Sequence, residues 1–466
     1  MKKSLLIASM AVAAASSAFA VTDGISYETI NGFTCVNKWI DDRIHNLAGW
    51  EALPINEYPL KARTACLATI DGKDVVIIGY SKTMTVGEES NDFAHLVLID
   101  FVTGEPISTI QMTCDGEPIK GLLCANQVGC DQFGHVWFAG YVEPNYNPET
   151  GVFKPIRIYM VDDWATGACS LQAELTIPED ETEAVARYDY YDLVGDVTRQ
   201  EARCTVMVAS TQSTEGYGEA YVGGWMADQG SDKWEGAMDG YTTALITETY
   251  PADMTTWGTG PMVRIVLDDD YTNSLFYVDG FTTCPTLYNN SGAMLDSFAA
   301  APDLAPKTGT NGVGEFTLGG TNFLAYSIEQ YDSGATCRAR IAQLGQDQAF
   351  EGMESYWLIP ENGLGDVSDG GNRLHVLETK VYTDNAGKQG AYVLTYKCNN
   401  GLGVYAIAEE GWVDPNSGDN AVNDIVADTN VPVKYYNLNG VEMNGNLTPG
   451  LYITRQGDNV NKVIVK

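Results

Sequence analysis

Carboxylates are the side chains of this sequence best supplied for chemistry. Asp and Glu number 62 against 27 Lys and Arg, a formal charge of −35 over 466 residues. They cluster at Asp162-Asp163, at Glu179-Asp180-Glu181 and at Asp268-Asp269-Asp270. Two carboxyl groups held roughly 5 to 10 Å apart can hydrolyse a glycosidic bond, one giving a proton and the other supporting the attack. At this acid content chance clusters are expected, so solvated loops account for most such runs and no catalytic residue is assigned. Asp414-x-Asn416 begins like a calcium loop, but the glycine and closing glutamate such a loop needs are misplaced.

Other chemistries find less support. The four histidines, His45, His95, His135 and His375, lie far apart in sequence and make no His-x-x-x-His or Cys/His grouping. No zinc or iron centre is therefore expected. His95 and His135 sit in strand-like runs and read as structural. There is no Gly-x-Ser-x-Gly elbow and no phosphate-binding glycine loop. Gly309, Gly312 and Gly314 lack the spacing of a dinucleotide fingerprint, and no cofactor is expected. The ten cysteines contain no Cys-x-x-Cys. Their even number permits disulfides in an exported chain, while several in apolar runs read as small buried groups. Trp225, Trp234 and Trp257 share one glycine-rich region with Tyr217, Tyr221 and Tyr241. Aromatics there could stack on sugar rings and mark a ligand site, although packing between sheets is the commoner use.

These residues must be positioned by strands. Amphipathic helical periodicity is hard to find, whereas short β-rich runs bounded by Gly, Asp and Asn recur. A turn followed by an apolar strand appears six times. Asp71-Gly72 leads into Val75–Ile78, Asp131–Gly134 into His135–Gly140, and Arg199-Gln200 into Cys204–Ala209. Asp270–Asn273 leads into Leu275–Val278, Gly319-Gly320 into Phe323–Tyr326, and Asn385–Gly387 into Ala391–Leu394. Sheets stacked radially about an axis bury both faces and leave only short edges. The spacing predicts an all-β propeller of six blades, with seven as the alternative and a two-sheet sandwich array as the competing architecture. Gly403–Ala408 is expected to complete the ring with an N-terminal strand near Phe33–Ile40. The strongly acidic balance argues against nucleic acid or an anionic membrane as partner.

The two ends speak of destination. Lys2 and Lys3, the apolar Leu5–Ala15 and Ala18-Phe19-Ala20 form a secretory signal, with cleavage expected between Ala20 and Val21. The apolar run is too short to span a bilayer, and no transmembrane segment is expected elsewhere. Residues 21–408 form the expected propeller body. Residues 409–430 hold six acids and no Lys or Arg, and read as an acidic linker. Residues 431–466 read as a small β-sandwich-like module, with a hairpin at Asn439-Gly440 and a turn at Pro449-Gly450.

Two resemblances follow from these residues. Tyr435-Tyr436-Asn437-Leu438-Asn439-Gly440, Pro449-Gly450-Leu451-Tyr452-Ile453 and the terminal Lys466 resemble a shortened type IX secretion sorting domain of exported Bacteroidetes proteins. Asn37–Ile40, Arg63–Ala65, Leu98–Asp100 with Thr103–Glu105, Ala125–Gly129, and Ile158-Tyr159 with Trp164 resemble a family of uncharacterised exported Bacteroidetes propellers. The resemblance implies the secretion machinery as a partner of the tail, and a place at the cell surface or outside the cell, with the periplasm as the alternative. The expected function is binding of a glycan or surface protein rather than catalysis. The alternative is a carbohydrate-active hydrolase or lyase using carboxylates and tyrosine in the propeller funnel.

Overall fold

The computed structural model describes residues 22–42, 61–86, 89–121, 123–140, 155–176, 188, 190–211, 220–239, 243–246, 263–268, 270, 273–280, 283–306, 312–328, 337–364, 375–398 and 400–416. In the tail it describes 434–436, 442–443, 450–456 and 459–465. Among these residues there is no α-helix, and no helix is long and apolar enough to cross a membrane. The chain divides into two compact units, Met1–Val413 and Asp414–Lys466.

The first unit is a six-bladed β-propeller. Its innermost strands are Thr64–Ile70, Gln127–Cys130, Tyr190–Gly195, Arg264–Leu267, Val313–Leu318 and His375–Thr383, one for each of blades 1 to 6. Every expected turn-and-strand unit is the hairpin that joins a blade's first strand to its second. The second strands are Lys73–Val86, Val136–Ala139, Cys204–Thr211, Phe276–Asp279, Thr321–Ser327 and Gln389–Lys397. Six blades, not seven, follow from that count.

Ring closure uses both ends of the unit. Gly401–Glu409 pairs with Gln389–Lys397 on one side and with the N-terminal strand Phe33–Asp42 on the other. Blade 6 is thus built from the two ends, and its inner strand contacts that of blade 1. Closure removes the open edge that a curved stack of sheets would otherwise present.

Alternation explains the packing. In blade 1, Ala65, Leu67, Val76 and Ile78 face blade 6, while Cys66, Ala68, Val75 and Ile77 face blade 2. Successive strand residues point to opposite faces, and here both faces are dry. Each of the six interfaces holds its own apolar cluster. Outer strands return to half-burial, as in Pro106–Gln111. An extra hairpin, Thr113–Cys114 with Glu117–Pro118, extends the outer edge of blade 2.

In the second unit Lys434–Tyr436 pairs antiparallel with Glu442–Met443 and with Gly450–Gln456, which pairs with Asn459–Val465. Asn439, Gly440 and Pro449 lie outside the described residues, as do Ala20, Val21 and residues 417–433.

Candidate functional site

The inner strands surround a cavity of about 320 Å³ on the propeller axis. That is the small end of the range for ligand sites. Its lining is polar for so central a place: Gln127, Asp131, Gln132, Asp192, Arg264, Asp268, Tyr277, Glu315, Glu378, Thr379 and Lys380. All six blades contribute, blade 1 through Leu67 alone.

Blade 4 organises the charges. The Arg264 side chain is nearly buried, and its guanidinium reaches Glu378 Oε1 of blade 6 at 3.3 Å. Asp192 of blade 3 feels the same guanidinium. In a six-membered ring blade 3 lies across the axis from blade 6, so Asp192, Arg264 and Glu378 form a charge string across the cavity. Beside it the Tyr277 hydroxyl donates to Glu315 Oε2 at 2.9 Å. Glu315 and Glu378 lie on adjacent inner strands, pinned where Thr379 Oγ1 donates to the Glu315 carbonyl at 3.1 Å. Lys380 is held by Asp74 of blade 1 at 3.2 Å. Asp192 and Glu378 therefore share one arginine, and the Tyr277–Glu315 pair lines the same cavity.

Burial tunes two of the acids. It lifts the Asp192 carboxyl to about 6, against opposing hydrogen bonds from Leu267 N (2.6 Å) and Leu193 N (2.8 Å) and the charge of Arg264. A carboxyl near 6 can both give and take a proton close to neutrality. Behind the cavity wall, burial pushes Asp279 up to about 8, with the Arg264 charge and the Gly312 amide offsetting it only in part. An unfolded aspartate titrates near 3.9. Between about pH 4 and pH 8 the unfolded chain gives up this proton while the folded chain keeps it, so stability falls as pH rises through that window. Asp279→Asn is expected to remove that slope, worth up to roughly 5 kcal/mol. Urea unfolding of both proteins at pH 5 and pH 8 measures the difference.

Trp137 is 1% exposed and lines the cavity, and its buried Nε1 has no hydrogen-bond partner among the described residues. It faces the inner strand because its register partner is Gly129. A Cβ at Gly129 would lie 2.7 Å from the indole ring and 2.8 Å from Nε1. The missing side chain is what gives the indole edge its slot against the inner strand.

A second polar grouping, Asp131, His135 and Asp196, joins blades 2 and 3, and its three candidate metal-ligating atoms lie within 4.8 Å of one another. Asp131 Oδ1 accepts from Phe133 N (2.9 Å) and His135 N (2.8 Å), and Oδ2 from Val197 N (2.9 Å) and His135 Nδ1 (3.0 Å). Asp196 accepts from Thr198 N (2.8 Å) and Glu201 N (2.7 Å). Burial would raise Asp196, but these bonds, with His135, hold it below its usual value. Each carboxylate oxygen already serves an amide, so the grouping fits a clamp between blades better than a cation cage.

The residues singled out by sequence fall in several places. Trp225 is 5% exposed and packs between blades 2 and 3, and Trp234 lies against the same cluster with the Arg199 guanidinium 5.3 Å from its ring centre. Neither lines the axial cavity. Trp257, Tyr217, Tyr241 and the Glu179–Glu181 run lie outside the described residues. Asp163 caps an exposed turn through Ala165 N (2.8 Å) and Thr166 Oγ1 (2.9 Å). Of the acidic runs, Asp268 reaches the cavity wall. Asp192, Arg264, Tyr277, Glu315, Glu378 and Lys380 carried no motif. Their available signal was a charge inside an otherwise apolar inner strand, as in Val263-Arg264-Ile265-Val266-Leu267.

No protein-family model matches the sequence, and no curated protein matches it. Among solved structures, an α-L-arabinofuranosidase from Fusarium graminearum is 9% identical, covering 74% of this chain and 92% of that one, with a TM-score of 0.41. The subtype N11 neuraminidase-like protein (H18N11) from a flat-faced bat is 9% identical, covering 85% and 99%, with a TM-score of 0.42. A glycosyl hydrolase from Bacteroides ovatus is 9% identical, covering 77% and 85%, with a TM-score of 0.34.

Proposed function

We propose that the protein is an exported, carbohydrate-active propeller that hydrolyses a glycosidic bond in its axial cavity. The charge string of Asp192, Arg264 and Glu378 across that cavity carries the reading. Asp192 supplies the proton to the leaving oxygen, and burial keeps it partly protonated near pH 6. Glu378, ion-paired to Arg264, and Glu315, hydrogen-bonded by Tyr277, form the opposing acidic wall that supports the attacking water or the positive charge at the sugar carbon. The cavity volume suits one sugar unit rather than a long chain.

A second reading is glycan binding without turnover. It is favoured by Asp192 itself, because each of its oxygens already accepts a backbone amide. Incubation with a panel of polysaccharides and aryl glycosides, read for reducing ends and released phenol, separates the two. Product from the wild type that disappears in Glu378→Gln supports hydrolysis. Binding by calorimetry with no product from any of the panel would replace hydrolysis by binding.

Export belongs to the same proposal. The signal-like N-terminus and the tail resembling a type IX sorting domain support a surface or secreted protein, and secretion assays with and without residues 431–466 test the tail's part in it.

A further inference from the structure

We propose that Cys114 and Cys169 are a disulfide site that joins the outer edge of blade 2 to the chain leaving blade 1. All ten cysteines are free thiols in this structure. Among the described strand registers, this is the pair of cysteines that face each other: Cys169 is the parallel partner of Cys114, beside Ala168 with Thr113. Partners in a ladder present their side chains on one face. Neighbouring strands lie about 4.8 Å apart, inside the span of about 4.4 to 6.8 Å that a disulfide bridges between Cα atoms.

The approach of the two strands is built in. Thr113 N donates to the Gly167 carbonyl at 2.8 Å, two residues before Cys169. Gly167 has φ +72°, and a Cβ there would lie 2.1 Å from the Gln111 carbonyl oxygen. Only a glycine allows that contact. On its other side Cys114 is fixed by pairing with Glu117 across a turn whose Asp115 and Gly116 have φ of 52° and 81°. Cys169 Sγ lies 3.7 Å from Met112 Sδ in the apolar cluster between blades 1 and 2, and Cys114 packs at the same cluster's edge. Cys114 is partly exposed, so a small oxidant meets it first.

The oxidant is a small organic disulfide such as oxidised glutathione. The Cys114 thiolate attacks one of its sulfurs, forming a mixed disulfide and releasing one glutathione thiolate. The Cys169 thiolate then attacks the Cys114 sulfur and releases the second. Two cysteines are oxidised, one small disulfide is reduced to two thiols, and the cysteine protons pass to the leaving thiolates. Burial pushes the Cys169 thiol up to about 12 and raises Cys114 as well, so closure is slow at neutral pH and faster as pH rises. The bond would close a loop containing most of blade 2, including the inner strand that carries Gln127 and Cys130 on the cavity wall.

The test uses the full chain in a glutathione redox buffer at pH 8.5, then alkylation under denaturing conditions, proteolysis and mass spectrometry. The expected result is a peptide pair linked through 114 and 169, two alkylatable thiols fewer, and an unfolding midpoint raised by about 5 °C. Cys114→Ser, at a partly exposed position, should show none of these changes. Full alkylation of both cysteines in the wild type would overturn the proposal. So would glutathione left on Cys114 alone, or consumption of another pair such as Cys66 with Cys130. The outcome is independent of whether the axial cavity turns over a sugar.

Discussion

Asp192→Asn is expected to lower turnover about 10²- to 10⁴-fold, the usual worth of a positioned general acid. Asparagine keeps the size, but its one carbonyl oxygen can accept from only one of Leu267 N and Leu193 N while its Nδ2 faces the other, so circular dichroism and urea unfolding of the variant accompany the turnover measurement. What asparagine cannot do is give a proton. Two further signs follow. In the wild type the acid must be protonated, so activity should fall as pH rises through about 6. In the variant that limb should vanish. The loss should also shrink on aryl glycosides whose leaving group needs no proton, because there the acid contributes least. A variant with unchanged turnover on ordinary glycosides would remove Asp192 from the chemistry.

The second large effect concerns stability. Asp131→Ala is expected to cost about 3–5 kcal/mol. The Asp131 side chain is fully buried and takes four hydrogen bonds, three from backbone amides and one from His135. One of those amides, Val197 N, belongs to blade 3, so the loss is felt across a blade interface. Asp384 makes the same kind of turn, accepting from Ala386 N (2.8 Å) and Lys388 N (3.0 Å), but in half-exposed surroundings. There water can replace the carboxylate, and Asp384→Ala should cost clearly less than Asp131→Ala. Urea unfolding of the two variants side by side measures the contrast. Equal losses would mean that burial of the clamp adds nothing.

The same turns explain why the fold was readable. Asp131, Asp384 and the Asp71-Gly72 pair signal a tight reversal by local chemistry, and the apolar run after each must be a strand buried on both faces. Six repeats of that pattern give six blades, and the closing strand expected near Phe33–Ile40 is Phe33–Asp42, which gives Gly401–Glu409 its second neighbour. The site was legible only in outline. The alternative of a hydrolase or lyase invokes carboxylates and tyrosine in the funnel without naming them; Asp192, Glu315, Glu378 and Tyr277 line the cavity. Which carboxylates could not be read, because each comes from a different blade and their proximity depends on ring closure rather than on spacing along the chain. Arg264 reaches Glu378 across 114 residues of sequence. Within the described part of the acidic runs, Asp163 and Asp268 accept from turn amides, at Ala165 N and Asp270 N, and Asp268 also lines the cavity. The tryptophans mark packing as well. Trp225 fills space between blades, and Trp137, without any motif, joins the same cluster with its N–H edge packed against Gly129.

The most direct measurement is a crystal structure of Asp192→Asn with a bound oligosaccharide, chosen from those the wild type cleaves or, failing cleavage, binds. The account predicts one sugar unit on the axis, with its glycosidic oxygen within hydrogen-bond reach of residue 192 and its far face toward Glu378 and Glu315. A sugar seated on the outer strands with the axial cavity empty of it would contradict the account.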